Sequence, residues 1–448
     1  MRDLILLGFT ALCLAAAIRH PFAGLLTWAW FTLMTPHQAA FGVYGVPLNV
    51  IIAGVTIASY IVSGEIAKFR FDPLTVLIIL FGGWLMIAQA FSLNPENSAI
   101  YHDRFIKTLL FVILCAQMAA GKLRFNALVW TIVVSIGFLA AKGAAFTFMT
   151  LGQYHVQGLS NTVLEDNNHF GIAVATILPL ILYLREESAR PIIRQGLLAL
   201  FCLAVVAIIG TQSRGAFLSL IAFSGFFWLR AKHKFAILAG LILVMAPTIA
   251  FMPGKWTERM STIGEATQDA SFMGRVDAWV INYKLAVAHP MTGAGLRNSY
   301  EKEIAQSVDI ERAESAKAAH SIYFEVLGGS GFVGLFIYLS LLAAAQLTAW
   351  RIYLSRANER LAPWKWRFAY YAQMSLAVFA IGGASVSLEM WDGYLVIIAL
   401  VSALSKMAVT DGKPEGHALQ QARIRNWRGR KRLKEILGET ESPAQPAP

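Results

Sequence analysis

Three side chains in this chain are of types that could together manage an anionic leaving group: Arg214, Arg275 and His320. Arg214 stands in "GTQSRGAFLSL" (210–220), between two stretches without charge, 195–213 and 215–229. A guanidinium beside long apolar runs is costly to place and commonly functional. Its planar fork binds phosphate oxygens two at a time and keeps its charge, which lysine does less well. A histidine can take a proton near neutral pH. Two arginines and a histidine therefore describe a site from which a diphosphate departs while a base meets an incoming hydroxyl. Taken alone, Arg214 could equally snorkel to lipid headgroups.

Other residues carry weaker chemistry. In "EDNNHF", Asp166 is placed to cap a helix, and Asn167 could hydrogen-bond a sugar. In "TGAG" (292–295), Gly293 and Gly295 suit a turn and could let backbone N–H groups approach a phosphate. His289-Pro290 reads as a helix end, and Glu325 need not share a face with His320. Trp391 in "LEMWDGY" reads as an interfacial anchor or a sugar platform. Cys13, Cys115 and Cys202 have no metal-type spacing, no acidic cluster of DxD type is present, and no phosphate-binding loop of Walker type occurs. No metal and no cofactor is expected.

The elements that must hold these groups are membrane helices. The chain has 448 residues, 56% hydrophobic and 15% charged, with a mean hydropathy of +0.55. Apolar runs recur near 4–18, 22–35, 47–63, 75–93, 106–120, 125–149, 167–184, 195–211, 215–229, 235–252, 321–349, 368–388 and 394–410. The expectation is an all-α, polytopic integral membrane protein of about 12–13 transmembrane helices with one long outer loop. The first run follows Met1 directly with no cleavage site, which suggests a retained helix. The net charge of +11 gathers in alternate loops: Lys68 and Arg70; Lys122 and Arg124; Arg185, Arg190 and Arg194; Arg230, Lys232 and Lys234; Arg351, Arg356 and Arg360. It gathers again in the tail "RIRNWRGRKRLK" (423–434). That is the positive-inside pattern, so a lipid bilayer rather than nucleic acid is the expected partner.

Four regions follow: helices over 1–252, an outer loop over 253–318, helices over 319–410 and a basic, partly disordered tail over 411–448. The loop carries eight Lys/Arg against nine Asp/Glu, so it is close to neutral. "GRVDAWVINYKLAVAHP" (274–290) predicts an amphipathic helix with Val276, Val280, Tyr283 and Val287 on its apolar stripe. Residues 299–320 predict a polar helix leading to the next span.

Three blocks, "TQSRGAFLSL", "GRVDAWVINYKLAVAHPMTGAGLRNSY" and "AHSIYFEVLGGSGFVGLFIYL", resemble in order and topology those of the O-antigen ligase and polymerase superfamily. The N-terminal half, through "EDNNHFGIAVATILPL", is similar to the branch of O-glycosylation ligases associated with the exosortase A system. The resemblance implies a metal-independent glycosyl transferase of the bacterial inner membrane, working on the periplasmic face. It implies a glycan donor on undecaprenyl diphosphate and an acceptor hydroxyl on a glycan, lipid or protein. By matching motif, Arg214 and Arg275 would bind the diphosphate and His320 would activate or orient the acceptor. A polymerase of the same superfamily is the nearest alternative. A transporter or flippase is a second, although it would call for internal repeats and midplane charges.

Overall fold

The computed structural model describes residues 2–40, 42, 45–230, 234–250, 254, 270–314, 318–357 and 361–411. The described chain is all-helical, and every expected apolar run lies on a helix. These are α1 (Arg2–Arg19), α2 (Pro21–Met34), α3 (Leu48–Val62), α4 (Pro73–Ala90), α5 (Pro95–Met118), α6 (Lys122–Met149), α7 (Asn167–Glu187), α8 (Pro191–Gly210), α9 (Arg214–Arg230) and α10 (Lys234–Ala250). Then come α11 (Ala270–Ala288), the short α12 (Lys302–Gln306) and α13 (Ile310–Ala313), and α14 (Ile322–Leu354), α15 (Pro363–Gly383) and α16 (Asp392–Asp411). The basic tail from 412 onward, with Lys255, Arg259, Lys317 and Arg360, lies outside the described residues.

The helix starts are legible in chemistry. Pro21, Pro73, Pro95, Pro191 and Pro363 each open a helix, where a missing N–H costs nothing. Asn94 and Asp166 accept from the first-turn amides of α5 and α7. Helices satisfy their own backbone, so they can cross a bilayer. Among the described residues, five are long and apolar enough to do so: α4, α6, α7, α8 and the α14 stretch. Helices α2, α3 and α9 are apolar but shorter. Leu12 and Phe336 are 71% and 72% exposed, as lipid-facing side chains are. The protein is a polytopic membrane protein.

Helices α7 and α16 form the centre. α7 packs on α6, α8, α9 and α15, and residues 392–404 of α16 are buried throughout. Two ends of the bundle differ in chemistry. At one, Arg124 pairs with Glu65 at 3.0 Å, Lys122 and Arg367 each reach Glu187 at 2.8 Å, and Lys406 meets Asp72. The opposite end gathers the C-terminal ends of α4, α6, α8 and α15 with the starts of α7, α9, α14 and α16. There the amide of Leu93 donates to Ala294 O, that of Val156 to Gly210 O, and the Asn167 amide to Thr211 O.

The region between α10 and α14 departs from expectation in two places. Helix α11 is present, but its buried residues are Ala278, Ile281, Asn282, Leu285 and Ala286, whereas Tyr283 and Val287 are about half exposed. Of the valine–tyrosine stripe, Tyr283 and Val287 face outward while Val276 and Val280 are half-buried, because the neighbouring face packs on α14. The polar stretch 299–320 is not one helix. Asp309 accepts from the Arg312 amide at 3.2 Å and so caps a new helix, α13, after α12 has ended.

Helix α14 is also interrupted. Gly331 has φ 72°, ψ −175°, inside "GGSGF". The helical bond that Phe332 N would make to Gly328 O is replaced by two cross-links. Phe332 N donates to Pro290 O at 2.9 Å, and Gly328 O accepts from Ala294 N at 2.8 Å. The 290–295 turn is thereby stitched into the break, which gives two of the freed backbone groups new partners.

Candidate functional site

The residues "TQSR" set the first arginine. Gln212 adopts φ 54°, which turns the chain sharply out of α8. Ser213 Oγ accepts from the Ala216 amide at 3.1 Å and caps α9, so Arg214 is its first residue. Gly215 follows because a Cβ there would lie 2.2 Å from Ser385 Oγ. Asn167 is buried and donates to Thr211 O at 2.8 Å, so its side chain braces this turn.

The second arginine reaches the same place from another element. Arg275, on α11, points its Nη1 at Ser385 O, 3.5 Å away. The third residue, His320, has φ 46°, and its amide donates to Ser387 Oγ at 3.1 Å. The start of α9, Arg275 and His320 thus meet on one loop, 384–391, between α15 and α16.

That loop is held by a buried carboxylate. Glu325 Oε1 accepts from Ser387 Oγ at 2.6 Å, Tyr300 OH at 2.7 Å and the Ala319 amide at 2.9 Å. His320 and Glu325 are therefore linked through Ser387, although they lie on different turns of the chain. Nothing in the sequence marks Arg297 among the loop charges. It donates to Glu389 Oε1 at 2.9 Å and lies over the rings of Tyr101 and Tyr300. Burial disfavours its charge, but Glu389, Tyr300 and Glu325 overcome that and the guanidinium stays protonated.

The His320 ring is held down to a pKa of about 4, first by burial and then by the facing Arg275 and His169, with Asp166 opposing. At neutral pH it is therefore uncharged. Its buried Nδ1 has no hydrogen-bond partner within the protein. The Nε2 of His169 is also buried without a partner, while its Nδ1 lies 2.9 Å from Val163 O. Asp166 caps α7 as expected, accepting from the amides of Asn168 and His169. A cavity of about 490 Å³ beside them is lined by Asp166, His169, Arg297 and Ser387.

Gly293 and Gly295 sit elsewhere in the stitching. Their φ values are 67° and 101°, and a Cβ on Gly293 would lie 2.6 Å from Gly328 O and Gly331 N. A Cβ on Gly295 would lie 2.1 Å from Ser92 Oγ. Left-handed backbone and close approach account for both glycines, and their neighbours are protein atoms of α14 and the α4–α5 turn. His289 and Pro290 follow the last residue of α11, as the sequence suggests. Among the described residues, no three His, Cys, Asp or Glu are grouped to hold a metal ion.

A buried neutral imidazole between cationic groups and a capped helix start can hold an anion while taking a proton from a neighbouring hydroxyl. Residues 198–339 match the family O-Antigen ligase, a stretch that contains Arg214, Arg275 and His320. Residues 1–189 match a family of unknown function (DUF5935). No curated protein matches the chain.

Proposed function

Starting from a chain that carries an O-antigen ligase domain across residues 198–339, we propose that this membrane protein transfers a glycan from undecaprenyl diphosphate to an acceptor hydroxyl. The observation that supports this reading best is the meeting of Arg275, the Arg214 turn and His320 on the 384–391 loop. In the proposed reaction Arg214 and Arg275 hold the diphosphate and neutralise it as the bond to the anomeric carbon breaks. The amide groups at the start of α9 add partial positive charge at the same place. His320 accepts the proton of the attacking hydroxyl, so the step yields a glycoside, the free carrier diphosphate and a protonated His320, which then releases its proton to water. Two guanidinium groups supply the charge that a divalent ion would otherwise bring, and the transfer is proposed to proceed without one.

The working side follows from charge. The end opposite the site carries Lys68, Arg70, Lys122, Arg124 and Arg356, which is the cytoplasmic signature. The site end then faces the periplasm of the bacterial inner membrane, where no nucleotide sugar is needed. The likeness of the N-terminal half to O-glycosylation ligases of exosortase A systems favours a ligase, with an acceptor on a glycan, lipid or protein.

Reconstitution of the purified protein in liposomes with a defined undecaprenyl-diphosphate glycan and a panel of acceptors, followed by mass spectrometry, tests the proposal. One glycan added per acceptor, with release of the carrier and no loss in EDTA, is the expected result. A ladder of lengthening carrier-linked glycan would mean polymerase chemistry. Loss in EDTA restored by one divalent ion would overturn the metal-free mechanism. Transport of intact lipid across the bilayer without transfer would overturn the reading altogether.

A further inference from the structure

A histidine that serves as a base is commonly held from its second ring nitrogen by a carboxylate. His320 lacks that support, since its buried Nδ1 has no hydrogen-bond partner within the protein. Placement of the ring therefore falls to the backbone that carries it. That backbone has φ 46°, a left-handed conformation that a residue with a side chain adopts only where its surroundings enforce it. They do so at three atoms. Trp279 Nε1 on α11 donates to Ala319 O at 2.7 Å, and the His320 amide donates to Ser387 Oγ at 3.1 Å. Both atoms belong to the peptide joining Ala319 to His320, so that plane is gripped from two remote elements. The amide before it, that of Ala319, donates to Glu325 Oε1 at 2.9 Å.

Glu325 ties these tethers together. Ser387 Oγ receives the His320 amide, so its own hydrogen is directed to Glu325 Oε1, 2.6 Å away. The carboxylate thereby sets the hydroxyl rotor, and a lone pair is left for the His320 amide. Tyr300 OH donates to the same carboxylate oxygen at 2.7 Å, and the carbonyl of Ser387 accepts from Arg297 at 3.3 Å. Glu325 is 4% exposed and Ser387 2%, so water does not compete for these bonds. On α11, Trp279 stands one turn after Arg275 and stacks on Phe324 at 5.3 Å, the ring planes 6° apart. The indole thus couples the helix that carries the arginine to the peptide that carries the histidine.

We propose that Glu325 and Trp279 are positioning residues of the transfer reaction, which lock the Ala319–His320 peptide and so hold the imidazole beside Arg275. The inference rests on the glycosyl-transfer reading above, with His320 as its base. Neither residue touches donor or acceptor in this scheme. Each acts through the backbone of His320, Glu325 by way of Ser387 and the Ala319 amide, Trp279 by way of the Ala319 carbonyl.

Variants that each remove one hydrogen-bonding group test this. Trp279→Phe keeps a ring to stack on Phe324 and removes the donor to Ala319 O. Ser387→Ala removes the hydroxyl that joins Glu325 to the His320 amide. In the reconstituted transfer assay each should lower kcat by about ten- to hundredfold, with KM for donor and acceptor little changed. Glu325→Gln keeps a carbonyl oxygen to accept in the same place and should retain more activity than Glu325→Ala. If Glu325→Ala fails to fold, Trp279→Phe and Ser387→Ala carry the test. In a His320→Ala background both should cost no further rate, because a displaced base and an absent one are equivalent. Wild-type rates in both variants would overturn the positioning role. So would losses that persist undiminished in the His320→Ala background, since these would mark residues that only support the fold. In either case the transfer reading stands. If His320→Ala transfers as fast as the wild type, or the wild type transfers nothing, the base assignment falls and this inference falls with it.

Discussion

Arg275 and His320 divide the proposed work between charge and proton. Arg275 reaches Ser385 O at 3.5 Å, the long end of the hydrogen-bond range. Replacing it with lysine keeps the charge and removes the two-point geometry. Arg275→Lys should therefore lose about 30- to 1000-fold in transfer rate, equivalent to roughly 2–4 kcal/mol of transition-state stabilisation. A near-normal rate in normally expressed protein would show that its role is structural. For His320, removal of the imidazole should slow transfer by roughly 100- to 10,000-fold without loss of donor binding. His320→Gln should stay slow if proton removal is the role, and recover partly if orientation is. The pH profile gives a separate test. The ring ionises near 6.5 when unperturbed and at about 4 when folded, so its base form persists well below neutrality. The acidic limb of kcat/KM should fall near pH 4, and Arg275→Gln should move it upward, because one of the charges that depress the ring is gone. The same shift bears on stability. Between those two values the unfolded chain binds a proton that the folded one does not. The folded state therefore loses stability as pH drops through that window and loses no more from this group below it. A limb at pH 6.5 in the wild type would exclude the buried imidazole as the base.

At the scale of elements, the site depends on a turn inserted into a broken helix. α14 breaks at Gly331, and the freed backbone groups are satisfied by Pro290 and Ala294. This joins α11, which carries Arg275, to α14, whose leading loop carries His320. Gly293 is a tight point of this turn, with φ 67° and α14 backbone 2.6 Å from where a Cβ would go. Gly293→Ala should thus strain the left-handed backbone and push the turn off the break, costing on the order of 2 kcal/mol or more. A lowered Tm in detergent, with transfer reduced even below that Tm, is the expected outcome. Unchanged Tm and rate would mean that the stitching does not position the arginine.

Over the whole molecule the question is which end faces which compartment. The site end and the basic end are separated by helices of membrane length, such as α6 with 28 residues, roughly 42 Å. Single cysteines at Ser307 in the outer region and Ser355 at the far end of α14 report the two sides, once Cys13, Cys115 and Cys202 are replaced. Both positions are exposed. In intact cells with a permeabilised outer membrane, an impermeant maleimide should label Ser307→Cys and not Ser355→Cys. Labelling of Ser355→Cys alone would invert the topology and remove the periplasmic site.

The helices were legible in the sequence because a bilayer imposes one rule on every span: apolar side chains and self-satisfied backbone. Pro at the first turn and Asp166 or Asn94 at the caps marked where they begin. Arg214 stands out in the sequence because charge between apolar runs is rare, whereas Arg275 at the start of the loop helix and His320 at the start of a span stand out by position and by the motif resemblance. Their common footing could not be read that way. Ser385, Ser387 and Glu325 are ordinary residues by type, and they act through contacts between segments more than 60 residues apart in the chain, such as the 67 between His320 and Ser387. Arg297 was one charge among many in a neutral loop until Glu389, 92 residues on, met it in a buried pair. The outward face of α11 is not legible in the sequence, because helical spacing shows that a stripe exists, not which neighbour covers it.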